Sequence, residues 1–216
     1  MGQDLFYKND NNQNLEEYID NVSKELKEGL SIFKNSEDNI VTVFGSSRIL
    51  DDNYFYTEAT ELGRYLAEAG YSILTGGGPG IMEATNKGAA NAGGVTYGVT
   101  VDLPSEEKAN QYSKNRFHCE HLFTRKVLLT NHVKGFVIMP GGFGTLDELF
   151  EVVTLVANNI TYKVPIVLIN KDFWGGLIDW LSASLLRNGL IRQDELNVIS
   201  ITNNVKEAVE IIKNSK

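Results

Sequence analysis

The chain has 216 residues, of which 42% are hydrophobic and 22% charged, as is typical of a single soluble globular domain with a sizeable core. Its formal net charge of −8, with no Lys/Arg run longer than a pair, argues against duplex nucleic acid as a partner. The single cysteine, Cys119, excludes an intramolecular disulfide and a Cys-rich zinc site. The sequence contains no apolar signal segment and no apolar run of about 18 residues, so we expect a cytoplasmic protein that crosses no membrane.

The side-chain pattern predicts helices that alternate with short buried strands along the chain. Residues 1–14 are polar and Asn-rich, and we expect them to be disordered or frayed. Residues 15–34 carry apolar side chains at helical spacing, which predicts a helix that covers the outside of the main sheet. We further predict strands at 40–44, 71–74, 95–101, 118–123, 136–139, 165–169 and 198–201, and helices at 54–69, 81–92, 125–133, from about 145, at 173–186 and at 205–212.

This alternation predicts the fold class. Strand–helix–strand units at this spacing form a parallel sheet with right-handed crossovers, and short continuous apolar strands fit a sheet covered on both faces. No repeat or linker divides residues 40–216, so we expect one α/β domain with a doubly wound parallel sheet and an extra N-terminal helix. Ligands bind at the carboxyl ends of such strands, where small-residue turns are predicted at 45–48, 76–80 and 141–144. The polar segment 102–117 is long for a loop in such a unit, which is typical of a lid or binding segment.

Residues 134–151 contain the most informative turn. An apolar strand stops at Pro140, the chain passes through three glycines, and an amphipathic helix follows near Thr145. Backbone N–H groups converge in such a turn and the helix dipole favours negative charge, so the segment predicts an anion site. Glu148 follows one turn later, and a carboxylate beside an anion site calls for a functional explanation. Taken alone, Glu148 would be interpreted as a solvated first-turn acid.

The second glycine-rich turn, at 76–80, does not fit the dinucleotide-binding fingerprint. Its glycines are spaced too tightly for G-x-G-x-x-G, although Asp102 partly matches the acidic residue expected about 20 residues on. The Walker A pattern is absent from the sequence. The glycines could serve only a tight strand-to-helix turn, but two glycine-rich turns in one chain are better explained by a phosphate with a sugar attached.

Residues 140–148, Pro-Gly-Gly-Phe-Gly-Thr-Leu-Asp-Glu, resemble the P-G-G-x-G-T-x-x-E signature of the Lonely Guy (LOG) phosphoribohydrolases, a family long described as lysine decarboxylases. Arg125-Lys126 resembles the Arg-Lys pair that precedes this signature in the family. Residues 75–84 resemble its first glycine loop, and residues 103–106, Leu-Pro-Ser-Glu, resemble a Leu-Pro-x-Glu element. The resemblance runs from about residue 40 to residue 212.

The resemblance implies a Rossmann-like fold and hydrolysis of the N-glycosidic bond of a purine nucleoside 5′-monophosphate, AMP or a cytokinin relative, to a free base and ribose 5-phosphate. It also implies a homodimer or higher homo-oligomer and no cofactor. Carried over by motif, Arg125 and Glu148 are the catalytic pair. The expected substrate-binding residues are Gly45, Ser46, Gly77, Gly78, Gly80, Glu83, Glu106, Arg125, Lys126, Gly141, Gly142, Phe143, Gly144, Thr145 and Thr154.

Four of these residues have a structural alternative. Arg125 could be an exposed helix-start arginine, Lys126 a surface lysine, Thr154 a helix-packing residue and Glu83 an acid that satisfies its own helix start. The three histidines show no metal-ligand spacing with a nearby acid, so no metal is expected.

Two other functions stay open at this point. A non-catalytic nucleotide-binding or carrier protein could use the same scaffold, because a fold does not fix a function. An oxidoreductase that binds a dinucleotide would rest only on generic glycine loops. A pyridoxal-dependent decarboxylase has no support, since nothing in the sequence marks a Schiff-base lysine.

The predicted mechanism gives the two catalytic residues different roles. Cleavage builds positive charge on the ribose, and a carboxylate beneath the sugar stabilises that charge and orients or deprotonates a water molecule. We assign this role to Glu148. Arg125 does not deprotonate at neutral pH, so it is expected to hold phosphate or ribose, or to stabilise negative charge on the leaving base. In this hypothesis the residues from Gly142 to Thr145 hold the phosphate.

Overall fold

The structure, a computed structural model, describes residues 15–33, 39–101 and 109–215. Helices flank a central sheet on both faces within these ranges. The helices are α1 (Leu15–Ser31), α2 (Tyr54–Glu68), α3 (Ile81–Asn91), α4 (Leu122–Thr130), α5 (Phe143–Ala157), α6 (Lys171–Trp180), which continues as a π-helix (Leu181–Leu186), α7 (Gln193–Leu196) and α8 (Val205–Asn214). The strands are β1 (Asn39–Phe44), β2 (Tyr71–Thr75), β3 (Thr96–Val101), β4 (Asn115–Cys119), β5 (Val133–Ile138), β6 (Ile166–Ile169) and β7 (Ile199–Thr202).

All seven of these strands form one parallel sheet in the order β4-β3-β2-β1-β5-β6-β7. The chain moves outward from β1 to β4, returns to the other side of β1, and moves outward again from β5 to β7. The strand order therefore reverses between β1 and β5, where a doubly wound sheet opens its ligand crevice. The predicted α/β class and the extra N-terminal helix are confirmed. In the described ranges, no helix combines the length and the apolar character needed to cross a bilayer.

The core forms two layers because alternate residues of each strand point to opposite faces of the sheet. In β5, Phe136 and Ile138 face the layer that α4, α5 and α6 cover, with Leu149 of α5 packed there. Val137, between them, faces the layer that α2, α3 and α8 cover, with Leu62 of α2. Burial on both faces explains why these strands are continuous apolar runs in the sequence.

The predicted boundaries around β4 and α4 are wrong. β4 begins at Asn115, inside the predicted loop 102–117, and α4 begins at Leu122 and not at Arg125. β4 is an edge strand of mostly exposed residues, and its pairing with β3 sustains it, so an apolar pattern could not reveal it. His132, predicted to be helical, has a φ of +57° and turns the chain into β5.

The helix predicted at 173–186 is α6 followed by the π-helix, and the short α7 was not predicted. Residues 1–14 lie outside the described residues. In α1 the predicted apolar stripe is only partly buried, since Leu15 and Ile19 remain 70% and 54% exposed. Glu25 of the same helix is buried instead, which an amphipathic pattern does not predict for a carboxylate.

Candidate active site

A cavity of about 600 Å³ opens at the carboxyl ends of β1 and β5, where the strand order reverses. Its walls come from the turns after β1, β2 and β5 and from the first turns of α3, α4 and α5. The lining residues are Phe44, Gly45, Ser46, Ser47, Arg48, Gly76, Met82, Leu122, Arg125, Lys126, Gly142, Phe143, Gly144, Thr145, Leu146, Asp147 and Glu148.

The turn after β1 is hydrogen-bonded to its two neighbours. The backbone N–H of Ser46 donates to the carbonyl oxygen of Pro140 at 3.1 Å, and the Ser46 carbonyl accepts from the N–H of Ile81 at 3.0 Å. Gly80 makes this approach feasible, because it has a φ of +69° and a Cβ there would lie 2.4 Å from the Ser46 oxygen. The three turns at the sheet edge therefore form one connected surface.

The N-terminus of α5 presents bare backbone to the cavity. The N-cap of α5 is Gly142, and because glycine has no side chain, the N-cap residue supplies no capping oxygen to the first backbone N–H groups. Apart from the adjacent helix backbone, no atom of the described residues lies within 4 Å of the Cβ positions that Gly142 and Gly144 would have, so space remains open beside both glycines. Backbone N–H groups of a first helical turn, together with the helix dipole, favour an anion at this place.

Arg125 of α4 is held at the cavity wall by backbone oxygens. The residue is only 4% exposed. Its Nε donates to the Val99 carbonyl at 2.9 Å and its Nη2 donates to the Gly76 carbonyl at 3.1 Å. The alternative of an exposed helix-start arginine is therefore wrong. These two bonds orient the guanidinium plane and tie α4 to β3 and to the turn after β2.

Lys126 joins α4 to α5 through two carboxylates. Its Nζ lies 2.9 Å from a carboxylate oxygen of Asp147 and 3.3 Å from one of Glu151. Burial by itself would lower the pKa of Lys126, but the hydrogen bond that Lys126 donates to Asp147 and the charge of Glu151 outweigh burial and raise it. Burial raises the pKa of Glu151, against the opposing charge of Lys126. The lysine thus stays charged and joins the second and third turns of α5 to α4.

Glu148 is half-buried and lines the same cavity as Arg125, on the second turn of α5. Its neighbour Asp147 lies more toward solvent, with a side chain that is 57% exposed, and pairs with Lys126. The two adjacent acids therefore differ in environment, because successive residues of a helix point about 100° apart.

The fold also gathers a second polar cluster, outside the cavity lining but at the start of the helix that carries Arg125. Glu25, Glu120 and His121 place ligand atoms within 4.8 Å of one another, although the sequence spacing predicts no metal. Hydrogen bonds from Thr124 and His121 already engage the Glu25 carboxylate. We interpret the group as a hydrogen-bonded cluster between α1 and α4.

A protein-family model described as "Possible lysine decarboxylase" matches residues 82–212. The cytokinin riboside 5′-monophosphate phosphoribohydrolase of Mycobacterium tuberculosis is 33% identical over 156 residues, which cover 70% of this chain and 81% of that protein. The cytokinin riboside 5′-monophosphate phosphoribohydrolase LOG of Oryza sativa subsp. japonica is 29% identical over 155 residues, which cover 70% of this chain and 63% of that protein. The chain belongs to the LOG family.

Solved structures share the fold of this chain. An X-ray structure of a structural-genomics target is 27% identical with a TM-score of 0.62, and the match covers 82% of this chain and 99% of that one. The molybdenum cofactor carrier protein of Chlamydomonas reinhardtii is 21% identical with a TM-score of 0.61, covering 82% of this chain and 97% of that one. At this identity the second likeness shows only a shared fold.

Most of the residues that the LOG signature singles out lie together. Gly45 and Ser46 line the cavity with Arg125, Lys126 and Glu148, and the segment between Gly142 and Thr145 lines it as well. They come from the turns after β1 and β5 and from helices α4 and α5, which meet at the crevice where the strand order reverses. Gly141 lies just outside, with its Cβ position 2.2 Å from the Thr145 hydroxyl.

Five of the predicted substrate-binding residues lie elsewhere among the described residues. The carbonyl oxygens of Gly77 and Gly78 accept hydrogen bonds from the Asn110 side chain at 3.0 and 2.9 Å, and neither glycine lines the cavity. The remaining three do not line the cavity either: Gly80 supports the Ser46 turn, Glu83 lies near Tyr56, and the Thr154 hydroxyl donates to the Phe150 carbonyl. Glu106 lies outside the described residues.

Several lining residues were not predicted as substrate-binding. Four of them lie in segments that the LOG resemblance covers, but the motifs do not mark them and only the folded chain places them at the cavity: Gly76, Met82, Leu122 and Leu146. The role of Asn110 was also not predicted. This residue is 6% exposed, and its side chain donates a hydrogen bond to the Gly77 carbonyl in the turn after β2. Its one available signal was its place in the long polar segment before β4.

Proposed function

We propose that this protein hydrolyses the N-glycosidic bond of a purine nucleoside 5′-monophosphate and releases the free base and ribose 5-phosphate. The observation that carries the proposal is a single cavity lined by a buried arginine, a half-buried glutamate and the bare N-terminus of α5. Relatives that are 29% and 33% identical carry the name cytokinin riboside 5′-monophosphate phosphoribohydrolase. AMP and N6-substituted AMP are the substrates that we propose.

The phosphate is proposed to bind at the N-terminus of α5. Open space beside Gly142 and Gly144 lets a phosphate approach the backbone N–H groups closely. Lys126 adds positive charge on the neighbouring wall, although its pairs with Asp147 and Glu151 already use part of its capacity. The ribose then extends toward Glu148, about one helical turn along α5.

Glu148 is proposed to act on the sugar. As the bond between the anomeric carbon and the base nitrogen breaks, its electron pair leaves with the base and positive charge builds on the ribose. The Glu148 carboxylate stabilises that charge and accepts a proton from the water whose oxygen adds to the anomeric carbon. The base gains a proton from solvent. General-base assistance of this kind contributes a factor of about 10² to 10⁴.

Arg125 is proposed to stabilise negative charge on the substrate. A guanidinium supplies a fixed positive charge with directed N–H donors and does not serve as a proton donor. The two bonds from Arg125 to Val99 and Gly76 hold the guanidinium in place in advance, which makes electrostatic stabilisation effective.

A nucleotide carrier without catalysis is the competing function. Incubation of the purified protein with AMP and with N6-substituted AMP, followed by chromatography, separates the two. We expect free base and ribose 5-phosphate in equal amounts. Binding of nucleotide by calorimetry without any release of base would favour the carrier instead.

The oligomeric state and the compartment stay predictions. The LOG resemblance predicts a homodimer, which light scattering on the purified protein tests directly. The single cysteine agrees with the reducing cytoplasm that the sequence predicts.

A further inference from the structure

The helix that carries Arg125 is capped by a residue of α1. His121 is the N-cap of α4, and its own side chain makes no capping hydrogen bond. The carboxylate of Glu25 accepts instead from the His121 backbone N–H at 3.4 Å, from the His121 ring Nδ1 at 2.8 Å and from the hydroxyl of Thr124. A carboxylate at a helix N-terminus satisfies donors that would otherwise lack partners and interacts favourably with the dipole.

This contact is buried. Glu25 is 8% exposed, and the ring of Tyr18 packs edge-on against the ring of His121 with 5.2 Å between centroids. The Cys119 side chain, fully buried at the end of β4, lies beside the Glu25 carboxylate. A buried carboxylate is costly unless it is hydrogen-bonded, so α1 must dock with Glu25 facing the start of α4.

The capped turn leads directly to Arg125. The Thr124 hydroxyl oxygen, whose hydrogen is directed to Glu25, also lies 2.7 Å from the His121 carbonyl oxygen, and the Arg125 backbone N–H donates to that carbonyl at 3.2 Å. The backbone N–H of Arg125 therefore makes the first helical hydrogen bond of α4, to the carbonyl of the N-cap residue His121. A shift of that turn would move the guanidinium relative to the Val99 and Gly76 carbonyls.

We propose that Glu25 is a positioning residue, which acts through the first turn of α4 to set the place of Arg125 in the cavity. The helix that supplies it precedes the region covered by the motifs. The effect on turnover rests on the proposed function, whereas the effect on the α4 start and on nucleotide binding does not require catalysis.

The test compares Glu25→Gln with Glu28→Gln in the full chain. Glu28 lies one turn further along α1 with its side chain 58% exposed, so it controls for loss of one acid from the helix. Thr124→Val removes one donor to Glu25 with little change of shape, and Thr124→Ser keeps the hydroxyl. Three quantities are measured: hydrogen exchange of the peptide that spans α4, AMP affinity by calorimetry, and the rate of adenine release.

We expect Glu25→Gln and Thr124→Val to speed exchange at the start of α4 and to weaken AMP binding about tenfold, which is the size of one lost cap. Glu28→Gln and Thr124→Ser should match the wild type. In an Arg125→Lys background, Glu25→Gln should change AMP affinity less than about twofold, because the group that it positions is already altered.

Two results would overturn the inference. Faster hydrogen exchange with unchanged AMP affinity would show that Glu25 only attaches α1 to α4 and does not position Arg125. An equal loss of affinity in the wild-type and Arg125→Lys backgrounds would show that Glu25 does not act through Arg125. Absence of adenine release in the wild type would sink the proposed function alone, since exchange and calorimetry still decide the role of Glu25.

Discussion

Nη2 of Arg125 lies 3.1 Å from the carbonyl oxygen of Gly76 and donates a hydrogen bond to it. This bond joins α4 to the turn after β2, so a side chain near one glycine-rich turn supports the backbone of another. Both elements belong to the same cavity wall. The position of the guanidinium therefore depends on how closely the turn at Gly76 can approach it.

Gly76→Ala should displace the Arg125 guanidinium and cost stability, because the buried bond to the Gly76 carbonyl would be lost. The added Cβ would lie 2.0 Å from Nη2 of Arg125 and 2.8 Å from Sδ of Met82, so both side chains must shift. A displacement of about 1 Å near a reacting centre can cost about 10² in rate, so we expect a loss of that order in kcat/KM for adenine release from AMP.

Gly175→Ala provides the matched control for this substitution. Gly175 lies inside α6, and apart from that helix's own backbone no atom of the described residues lies within 4 Å of its Cβ position, so alanine should raise stability by up to about 1 kcal/mol and leave kcat/KM unchanged. Urea unfolding measures both stabilities. Wild-type turnover in Gly76→Ala would contradict the role assigned to the Arg125–Gly76 contact.

Glu148→Gln should separate binding from turnover. The amide keeps the shape of the side chain but cannot accept a proton or stabilise positive charge on the ribose, so kcat should fall by about 10² to 10⁴. AMP affinity by calorimetry should remain within about threefold of the wild type, because the phosphate is proposed to bind α5 backbone. Glu210→Gln on the exposed side of α8 serves as the control, and normal turnover in Glu148→Gln would remove Glu148 from the mechanism.

Cys119 should be unreactive in the folded protein. Burial raises the pKa of its thiol to about 12, and its side chain is fully buried, so little thiolate forms at pH 8 and reagents cannot reach it. Alkylation at that pH should be slow in buffer and rapid in denaturant, with one label per chain because the sequence has one cysteine. Rapid labelling of the native protein would contradict the close docking of α1 over β4 and α4.

Stability should decline in acid partly because Glu25 becomes protonated. Burial would raise the pKa of Glu25, but hydrogen bonds from Thr124 and His121 outweigh burial and hold it below the ordinary value of 4.5. The unfolded chain then binds more protons than the folded chain near that pH, so the Glu25 contribution is present above about pH 4.5 and is lost as the pH falls through the folded pKa.

The free energy of unfolding, measured against pH for the wild type and for Glu25→Gln, tests this sign. We expect the advantage of the wild type to shrink below about pH 4.5. A difference between the two proteins that stays constant from neutral pH into acid would contradict the lowered pKa.

Much of the site could be predicted because its parts are local in sequence. The strand, glycine turn and helix around Gly142 form within a few residues, and Glu148 follows at a fixed distance along the same helix. The boundary errors around β4 have the opposite cause. The polar strand that begins at Asn115 owes its existence to pairing with β3, and no local pattern encodes that partner.

Local patterns in the sequence predict the parallel α/β sheet and the turns at its carboxyl edge, because side-chain periodicity and glycine spacing act over short stretches of chain. The resemblance of residues 140–148 and of Arg125-Lys126 to the LOG motifs is local as well. No local pattern predicts that Arg125 is held by a carbonyl 49 residues away, at Gly76, or that Glu25 caps α4 across 96 residues. Such contacts depend on how helices dock against the finished sheet. A buried carboxylate in an amphipathic helix gains its partner only when that docking is complete.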